Sequence, residues 1–462
     1  MKLNWRSFFS RDSTLRIPDA GVYAFQFQDG GEKVRVHLRM DTDGYGVLLV
    51  NAARIYHLNP SAALMAYFHL SGVSEEKIVV SLTKLFDVPA DQFRSDYREF
   101  TRQFTALIEP NGACPIHDLG LSTVAPFSQQ PNAPYRMDLA ITYRCNNDCS
   151  HCYNARSRLQ PELPTRDWKK IIDRLWQIGI PHIVFTGGEP TLRPDLIEMI
   201  GYAQNKGMVA GLNTNGRKLK DLEFTKALVQ AGLDHVQITL ESADPAIHDL
   251  MVGANGAWED TVQGIQNVLV TPLYMMTNTT LLTTNQHTLT STLEFLASCG
   301  VPTVGLNALI YSGKGASVGT GIPEDALPRL LETASAITRQ NHQRLIWYTP
   351  TQYCRFDPMM LDLGIKGCTA ALYNMCIEPD GSVIPCQSYY QSLGRLLETP
   401  WKNIWEHPLA RALRLRENLP EGCKECAFVN ECGGGCPLSR KAIQPHIAPF
   451  SHQSSPEKEF TR

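Results

Sequence analysis

Cys145, Cys149 and Cys152, with Tyr153 directly behind them, stand at C-x3-C-x2-C spacing. Three thiolates this close can hold three corners of a four-iron cluster. Such clusters are ordinarily held by four Cys, and no fourth thiol lies near this trio in the sequence. The missing ligand is then an exogenous molecule, and the open iron becomes a place for chemistry. The competing assignment is zinc, which usually pairs its Cys through two-residue spacings and closes with four ligands. A three-residue gap fits zinc poorly.

A short apolar strand, Ile183 to Phe185, runs into Thr186, Gly187, Gly188, Glu189 and Pro190. Glycines let a backbone approach a ligand closely, although Gly and Pro alone also punctuate ordinary loops. Asn213, Thr214, Asn215 and Gly216 close the next strand, and Gln237 to Ser242, with Thr239 and Glu241, the one after. With these motifs the chain resembles the radical S-adenosylmethionine (radical SAM) enzymes, whose signature is C-x3-C-x2-C followed by an aromatic. The resemblance implies a [4Fe-4S] cluster on Cys145, Cys149 and Cys152 whose free iron is chelated by the amine and carboxylate of SAM. One electron, from a donor such as a flavodoxin or ferredoxin, then cleaves SAM to methionine and a 5′-deoxyadenosyl radical that takes a hydrogen atom from the substrate. It also implies that Tyr153 fills the aromatic position and that Gly187, Gly188, Glu189 and Pro190 bind the SAM amine. Asn213, Thr239 and Glu241 would approach its ribose or amino acid part. Many relatives carry Ser and Asp at the latter two positions, and polar strand-end residues also serve simply to cap loops. No acid–base residue stands out as catalytic.

A second cysteine field lies downstream. Cys368 and Cys386 bracket Cys376 and the turn Pro379 to Ser382, followed by Cys423, Cys426, Cys432 and Cys436 at C-x2-C-x5-C-x3-C spacing. A zinc ribbon is the alternative for the last four, since C-x2-C pairs are common zinc ligands. The field resembles the SPASM extension of radical SAM maturases. That resemblance implies one auxiliary iron–sulfur cluster on Cys368, Cys376, Cys386 and Cys436, and a second on Cys423, Cys426 and Cys432. The pattern usually ends with one more Cys, and none follows Cys436. The second cluster must use another ligand, stay open, or be absent; His446, His452 and Glu457 are candidates, in what reads as a polar tail. Cys354 is a further spare thiol upstream. Trp401 and Trp405 read as packing residues of a helix, with an electron-transfer role as the alternative.

The elements that must position these groups alternate β and α from about residue 137 to 350. Strands are expected over Asp138 to Tyr143, His182 to Thr186, Val209 to Thr214, His235 to Leu240, Tyr274 to Leu282 and Thr303 to Leu309, with helices between them. One helix, Asp167 to Ile178, carries Trp168, Ile171, Ile172 and Leu175 on a single apolar face. Such α/β units place their sites at the carboxyl ends of the strands. Alternation alone allows an open doubly wound sheet, and the family resemblance implies a partial (β/α)6 barrel. Tyr311 to Gly321, rich in Gly, is a long loop after the sixth strand, either a lid or a connection.

The N-terminal part reads as a separate small α+β, winged-helix-like unit. Val22 to Phe27 and Val34 to Leu38 flank a hairpin signal at Asp29 to Gly31. A third strand, Gly46 to Val50, precedes a helix capped by Asn59 with Pro60 in its first turn. A second helix starts at Ser74, and a third, from Pro89 to Ile108, carries Phe93, Tyr97, Phe100, Phe104 and Leu107. The unit, including the helix start Leu58 to Ala62, resembles the PqqD-like peptide-binding chaperone of pyrroloquinoline quinone biosynthesis. In that family a leader peptide adds a strand to the sheet edge and leans on the third helix. A DNA-binding winged helix or a structural cap are the alternatives, but Arg94, Arg98 and Arg102 are interleaved with Asp96 and Glu99 rather than forming a basic patch.

The expected organisation is 20–109 for peptide recognition, 110–134 as linker, 135–350 as the radical SAM core, 351–440 as the SPASM-like domain and 441–462 as an irregular tail. Lys plus Arg number 43 against 46 Asp plus Glu, a net charge of −3 that points to neither nucleic acid nor an anionic membrane. No signal peptide or membrane span is evident, and 13 Cys clustered at short spacings suit metal ligation in a reducing compartment, so a cytoplasmic location is expected. The reading is a radical SAM/SPASM maturase modifying a peptide or protein through the N-terminal unit. Alternatives are the same chemistry on a small cofactor precursor such as a tetrapyrrole, or a non-enzymatic iron–sulfur carrier or scaffold.

Overall fold

In the computed structural model, which describes residues 15–29, 32–51, 54–108 and 131–442, the β-type runs of the sequence collect into two sheets. The first holds β1 (Gly21–Asp29), β2 (Glu32–Met40), β3 (Gly46–Val50) and β4 (Arg54–Leu58), antiparallel in chain order. The two glycines of the expected first hairpin, Gly30 and Gly31, lie outside the described residues, as do most of the linker and the tail with His446, His452 and Glu457. Helices α1 (Pro60–Leu70), α2 (Glu75–Phe86) and α3 (Ala90–Ile108) pack on this sheet around Leu38, Leu48, Leu64, Ile78 and Phe104. The α1 cap forms as its residue types predict, with Asn59 Oδ1 accepting from Ala62 N at 2.9 Å and Pro60 at the first position. The fourth strand is a correction to the three expected. Its five residues run straight into Asn59 and Pro60, so they read as the approach to a helix.

The second sheet holds β5 (Arg136–Thr142), β6 (His182–Gly187), β7 (Val209–Thr214), β8 (His235–Thr239), β9 (Tyr274–Leu281), β10 (Thr303–Ala308), β11 (Arg344–Trp347), β12 (Asn374–Ile377), β13 (Ser382–Ile384) and β14 (Gly394–Arg395). Their spatial order is β11-β10-β9-β8-β7-β6-β5-β12-β13-β14. Strands β5 to β11 run parallel, giving an α/β fold with a partial-barrel core. Two features are new relative to the six expected strands. A short seventh, β11, extends the core beyond β10, and the cysteine-rich region joins the same sheet through β12, parallel to β5. The turn Pro379 to Ser382 is the expected hairpin, joining β12 to β13.

Register and alternation divide this sheet into two faces. One carries Met137, Leu139, Ile183, Phe185, Leu212, Val236, Ile238, Val304 and Leu306, all buried under helices such as α4 (Thr165–Ile178). In α4 the stripe Trp168, Ile171, Ile172 and Leu175 is fully buried. The other face is polar: Asp138, Thr186, Asn213, Gln237, Thr239, Asn278, Thr280 and Asn307. A polar inner wall over an apolar outer one is what a barrel with an interior site requires.

The N-terminal unit docks beneath the amino ends of these strands. Arg35 on β2 pairs with Asp234 at 3.0 Å and donates to Met208 O at 2.6 Å, while Arg39 donates to Ala133 O at 3.2 Å and lies over the Tyr135 ring. His37 Nε2 donates to Gly207 O at 2.7 Å, and burial holds this imidazole neutral, lowering its pKa from 6.5 to about 4. Between those values the unfolded chain binds a proton that the folded site refuses, so this contribution to stability falls as pH drops from 6.5 to about 4. One such group is worth about 1.4 kcal/mol per pH unit, up to about 3 kcal/mol in all. His37→Gln is expected to flatten the acid limb of a melting-temperature profile; an unchanged limb would count against the docking account.

Candidate active site

The loop carrying Cys145, Cys149 and Cys152 leaves the carboxyl end of β5 and is suspended from several other strand ends. Asp148 N and Ser150 N donate to Val252 O and Met251 O at 2.8 and 3.0 Å, at the end of the helix Pro245–Val252. Arg217 Nη1 donates to Asn146 O at 2.8 Å and to Asn147 Oδ1 at 3.0 Å, and Asn215 Nδ2 to Asn146 Oδ1 at 2.7 Å. His151, between the second and third cysteines, donates from Nε2 to Glu241 Oε1 at 2.9 Å. Glu241 is buried and its other oxygen accepts from Thr280 N at 2.8 Å, tying the loop to β8 and β9 together. Burial alone would lower the His151 pKa, but the Glu241 carboxylate outweighs it and raises it. The loop after β10 is packed onto the cysteines rather than standing off them: Gly315 N donates to Cys152 O at 3.2 Å, and Lys314 pairs with Asp148 at 2.6 Å.

Burial pushes the Cys145 thiol up to about 11 and the Cys149 thiol well up, with neighbouring loop sulfurs adding to both. Binding iron would require the three thiols to release their protons.

Gly187 and Gly188 bring the turn after β6 against this loop. A Cβ on Gly187, at φ +134, would collide with Thr142 O, and one on Gly188 with Arg144 O. Gly188 N and Glu189 N donate to those same carbonyls at 2.8 Å. The buried Glu189 carboxylate accepts from Thr191 N, Thr191 Oγ1, Thr214 Oγ1 and Asn215 N at 2.6 to 3.0 Å. It thereby joins the Pro190 turn to the end of β7. Asn213 and Thr239 lie half-buried on the polar inner wall. Of the residues expected near SAM, Glu189 and Glu241 thus spend their carboxylates on the frame, while Asn213 and Thr239 face the interior.

The second cysteine field abuts the first. Tyr153 Oη donates to Gln387 Oε1 at 3.1 Å, so the residues following Cys152 and Cys386 touch. Arg156 grips Glu378 with two bonds, at 2.7 and 2.9 Å, and lies over the Tyr390 ring, and Tyr143 Oη donates to Glu378 at 3.2 Å. Ser312 Oγ reaches Ser388 O at 2.9 Å. None of these pairings has a local signature in the sequence, apart from Asn215, which belongs to a recognisable turn.

Within that field the thiols fall into two groups. Burial and then neighbouring sulfur raise Cys368 and Cys386 to about 12; Cys368 feels Cys436, and Cys386 feels both Cys368 and Cys436. Cys376, fully buried on β12 beside Ala140 and Tyr143, feels Cys386. Cys423 is raised by burial, then by Cys432, Cys354 and Cys426. Two guanidiniums lie near these groups: Arg416 feels Cys368 and Cys432, and Cys368 and Cys423 feel Arg440. Arg440 Nη1 is buried with no hydrogen-bond partner among the described residues. An unpartnered guanidinium nitrogen amid thiols suits an anionic cluster. Among the described residues no three His, Cys, Asp or Glu side chains converge closely enough to share a single metal ion. Trp401 and Trp405 stack at 5.7 Å and pack against the core, Trp405 under Arg414.

A profile of the Radical SAM superfamily matches residues 139–296, and one of SPASM, an iron–sulfur cluster-binding domain, matches residues 368–427. The chain is a radical SAM enzyme with a C-terminal SPASM-type iron–sulfur domain. It carries a radical SAM [4Fe-4S]/SAM site, which sets aside the carrier or scaffold alternative. Over 320 residues it is 28% identical to an AdoMet-dependent heme synthase of Methanosarcina barkeri, covering 66% of this chain and 91% of that protein. It is 27% identical over 323 residues to a PqqA peptide cyclase of Ruegeria pomeroyi, covering 67% and 84%. The fold matches Streptococcus suis SuiB bound to its precursor peptide SuiA with a TM-score of 0.65 at 14% identity, over 90% of this chain and 96% of that one. No described helix is long and apolar enough to cross a membrane.

Proposed function

We propose that this enzyme is a maturase that modifies a peptide or protein by hydrogen abstraction, with the substrate recruited by the N-terminal unit. Cys145, Cys149 and Cys152 would hold the cluster that, with SAM bound, would supply the radical chemistry. The chain's own residues do the rest: the suspended loop fixes the three thiolates, Gly187 and Gly188 allow close approach, and Asn213 and Thr239 offer polar contacts from the inner wall. The observation that carries the peptide reading is the N-terminal sheet with α1 to α3, fixed to the core through Arg35, His37 and Arg39. β4 ends that sheet, and its outer edge pairs with no strand among the described residues, as β-augmentation by a peptide requires. The likeness to SuiB reaches over 90% of the chain, which supports the same reading.

This unit sits beneath the amino ends of the core strands, while the cysteine loop lies at their carboxyl ends. A peptide held at β4 must therefore run past the barrel, at least ~20 Å for strands of about six residues. Full-length precursor is expected to give peptide-dependent 5′-deoxyadenosine and a mass change in the peptide. The same peptide without its leader should react with KM raised at least about tenfold, about 1.4 kcal/mol of binding, and little change in kcat. Equal KM values would sink the recruitment role. A second reading, action on a small cofactor precursor such as a tetrapyrrole, is favoured by the 28% identity to the heme synthase; it predicts turnover of the small molecule with no peptide present.

A further inference from the structure

We propose that Cys354 is the fourth thiolate of the second auxiliary cluster, completing the set begun by Cys423, Cys426 and Cys432. The inference rests on the SPASM-type reading of this domain but not on the identity of the substrate. The sequence pattern supplies that cluster with three thiolates, Cys423, Cys426 and Cys432, and no Cys stands between Cys436 and Arg462.

Residues Pro350 to Cys354 lie directly against the Cys432 to Cys436 loop. Tyr353 N donates to Cys432 Sγ at 3.4 Å, Cys432 Sγ lies 3.6 Å from Thr351 O, and Cys436 N donates to Pro350 O at 3.2 Å. Gly435, at φ +71, lies close against this segment: a Cβ there would stand 3.1 to 3.2 Å from Gln352 and Thr351, a tight approach. Cys354 is thus next in sequence to a residue whose amide touches a sulfur of the incomplete set. Its own thiol feels Cys432, and Cys423 feels it in turn.

The segment is held firmly enough to present a ligand. Arg355 N and Phe356 N both donate to Gln352 O, at 2.8 and 2.9 Å, closing a tight turn with Cys354 inside it. Gln352 N donates to Glu324 at 3.0 Å, Tyr353 Oη accepts from Lys366 N at 2.9 Å, and Phe356 packs edge-on to the buried Trp347. Cys354 is the one exposed thiol among the described cysteines. A bare surface thiol invites oxidation, and ligation removes that exposure. On binding, the thiol gives up its proton and its sulfur bonds to iron. Four thiolates leave no open iron, so this cluster passes electrons and does not bind substrate.

The test uses full-length protein reconstituted anaerobically, with iron and sulfide per chain and Mössbauer spectra as readouts. Cys354→Ala is expected to lose between one and about four irons, matching Cys423→Ala. Cys354→Ser, able to ligate through oxygen, should keep its iron with an altered spectrum, which a purely structural role would not produce. A variant with His446, His452 and Glu457 all changed to Ala should match the parent. Parent-like iron and spectra in both Cys354 variants, while Cys423→Ala loses iron, would overturn the proposal. A parent in which Cys423→Ala changes nothing would overturn the two-cluster reading beneath it.

Discussion

Glu241→Ala should release the cysteine loop from β8 and β9 and leave the reconstituted protein short of its first cluster. The carboxylate is buried, and removing it strands His151 Nε2 and Thr280 N without their 2.9 and 2.8 Å acceptors. Removing one partner of a buried charge-assisted pair costs about 3–5 kcal/mol, a large share of the marginal stability of an ordinary domain. The loss falls on the loop itself, because Glu241 is the acceptor for the histidine between Cys149 and Cys152. Iron per chain should drop by about one cluster, and SAM cleavage with it. Glu241→Gln keeps an acceptor for one donor and forfeits the charge, so its loss should be about half as large. Unfolding curves and iron analysis side by side decide the matter: a Glu241→Ala protein with full iron and parental stability would remove the clamp from the account.

Glu378→Ala is expected to loosen the SPASM-type domain from the core. Its side chain is 2% exposed and receives two bonds from Arg156 and one from Tyr143. Arg156 belongs to the segment just after the first cysteine trio, so this pair joins the two cluster regions. Without Glu378, a guanidinium one-third exposed and a largely buried phenol lose their acceptor, at a cost of about 2–4 kcal/mol. Arg156→Ala is costly for the opposite reason, since it leaves a buried carboxylate unpaired. The double variant should therefore lose less than the sum of the singles, with a coupling of about 1–3 kcal/mol. Additive losses would mean that the pair does not work as a unit.

What the sequence made legible was what is encoded locally. The two cysteine fields, the Gly-Gly-Glu-Pro turn and the Asn59 cap are runs of a few residues, and the six core strands carry their own apolar pattern. The frame around them was not legible, because its bonds join residues 90 apart for His151 and Glu241, 222 for Arg156 and Glu378, and 234 for Tyr153 and Gln387. No local propensity predicts such partners. The same limit hid the pairing of β12 with β5 and the approach of Cys354 to Cys432. Two strands failed differently: β4 runs straight into the Asn59 cap of α1, and β11 spans only four residues, too few for a two-residue period to show. Glu189 and Glu241 are placed near SAM by the family resemblance alone, and the bonds their carboxylates make to the loops around them had no signal in the sequence.

The most direct test of the central claim is 5′-deoxyadenosine release from SAM by the reduced, anaerobically reconstituted full-length protein, beside the Cys145/Cys149/Cys152→Ala triple variant. The account predicts release by the parent and none above background by the variant. A parent shown to carry its clusters and still releasing none would contradict it.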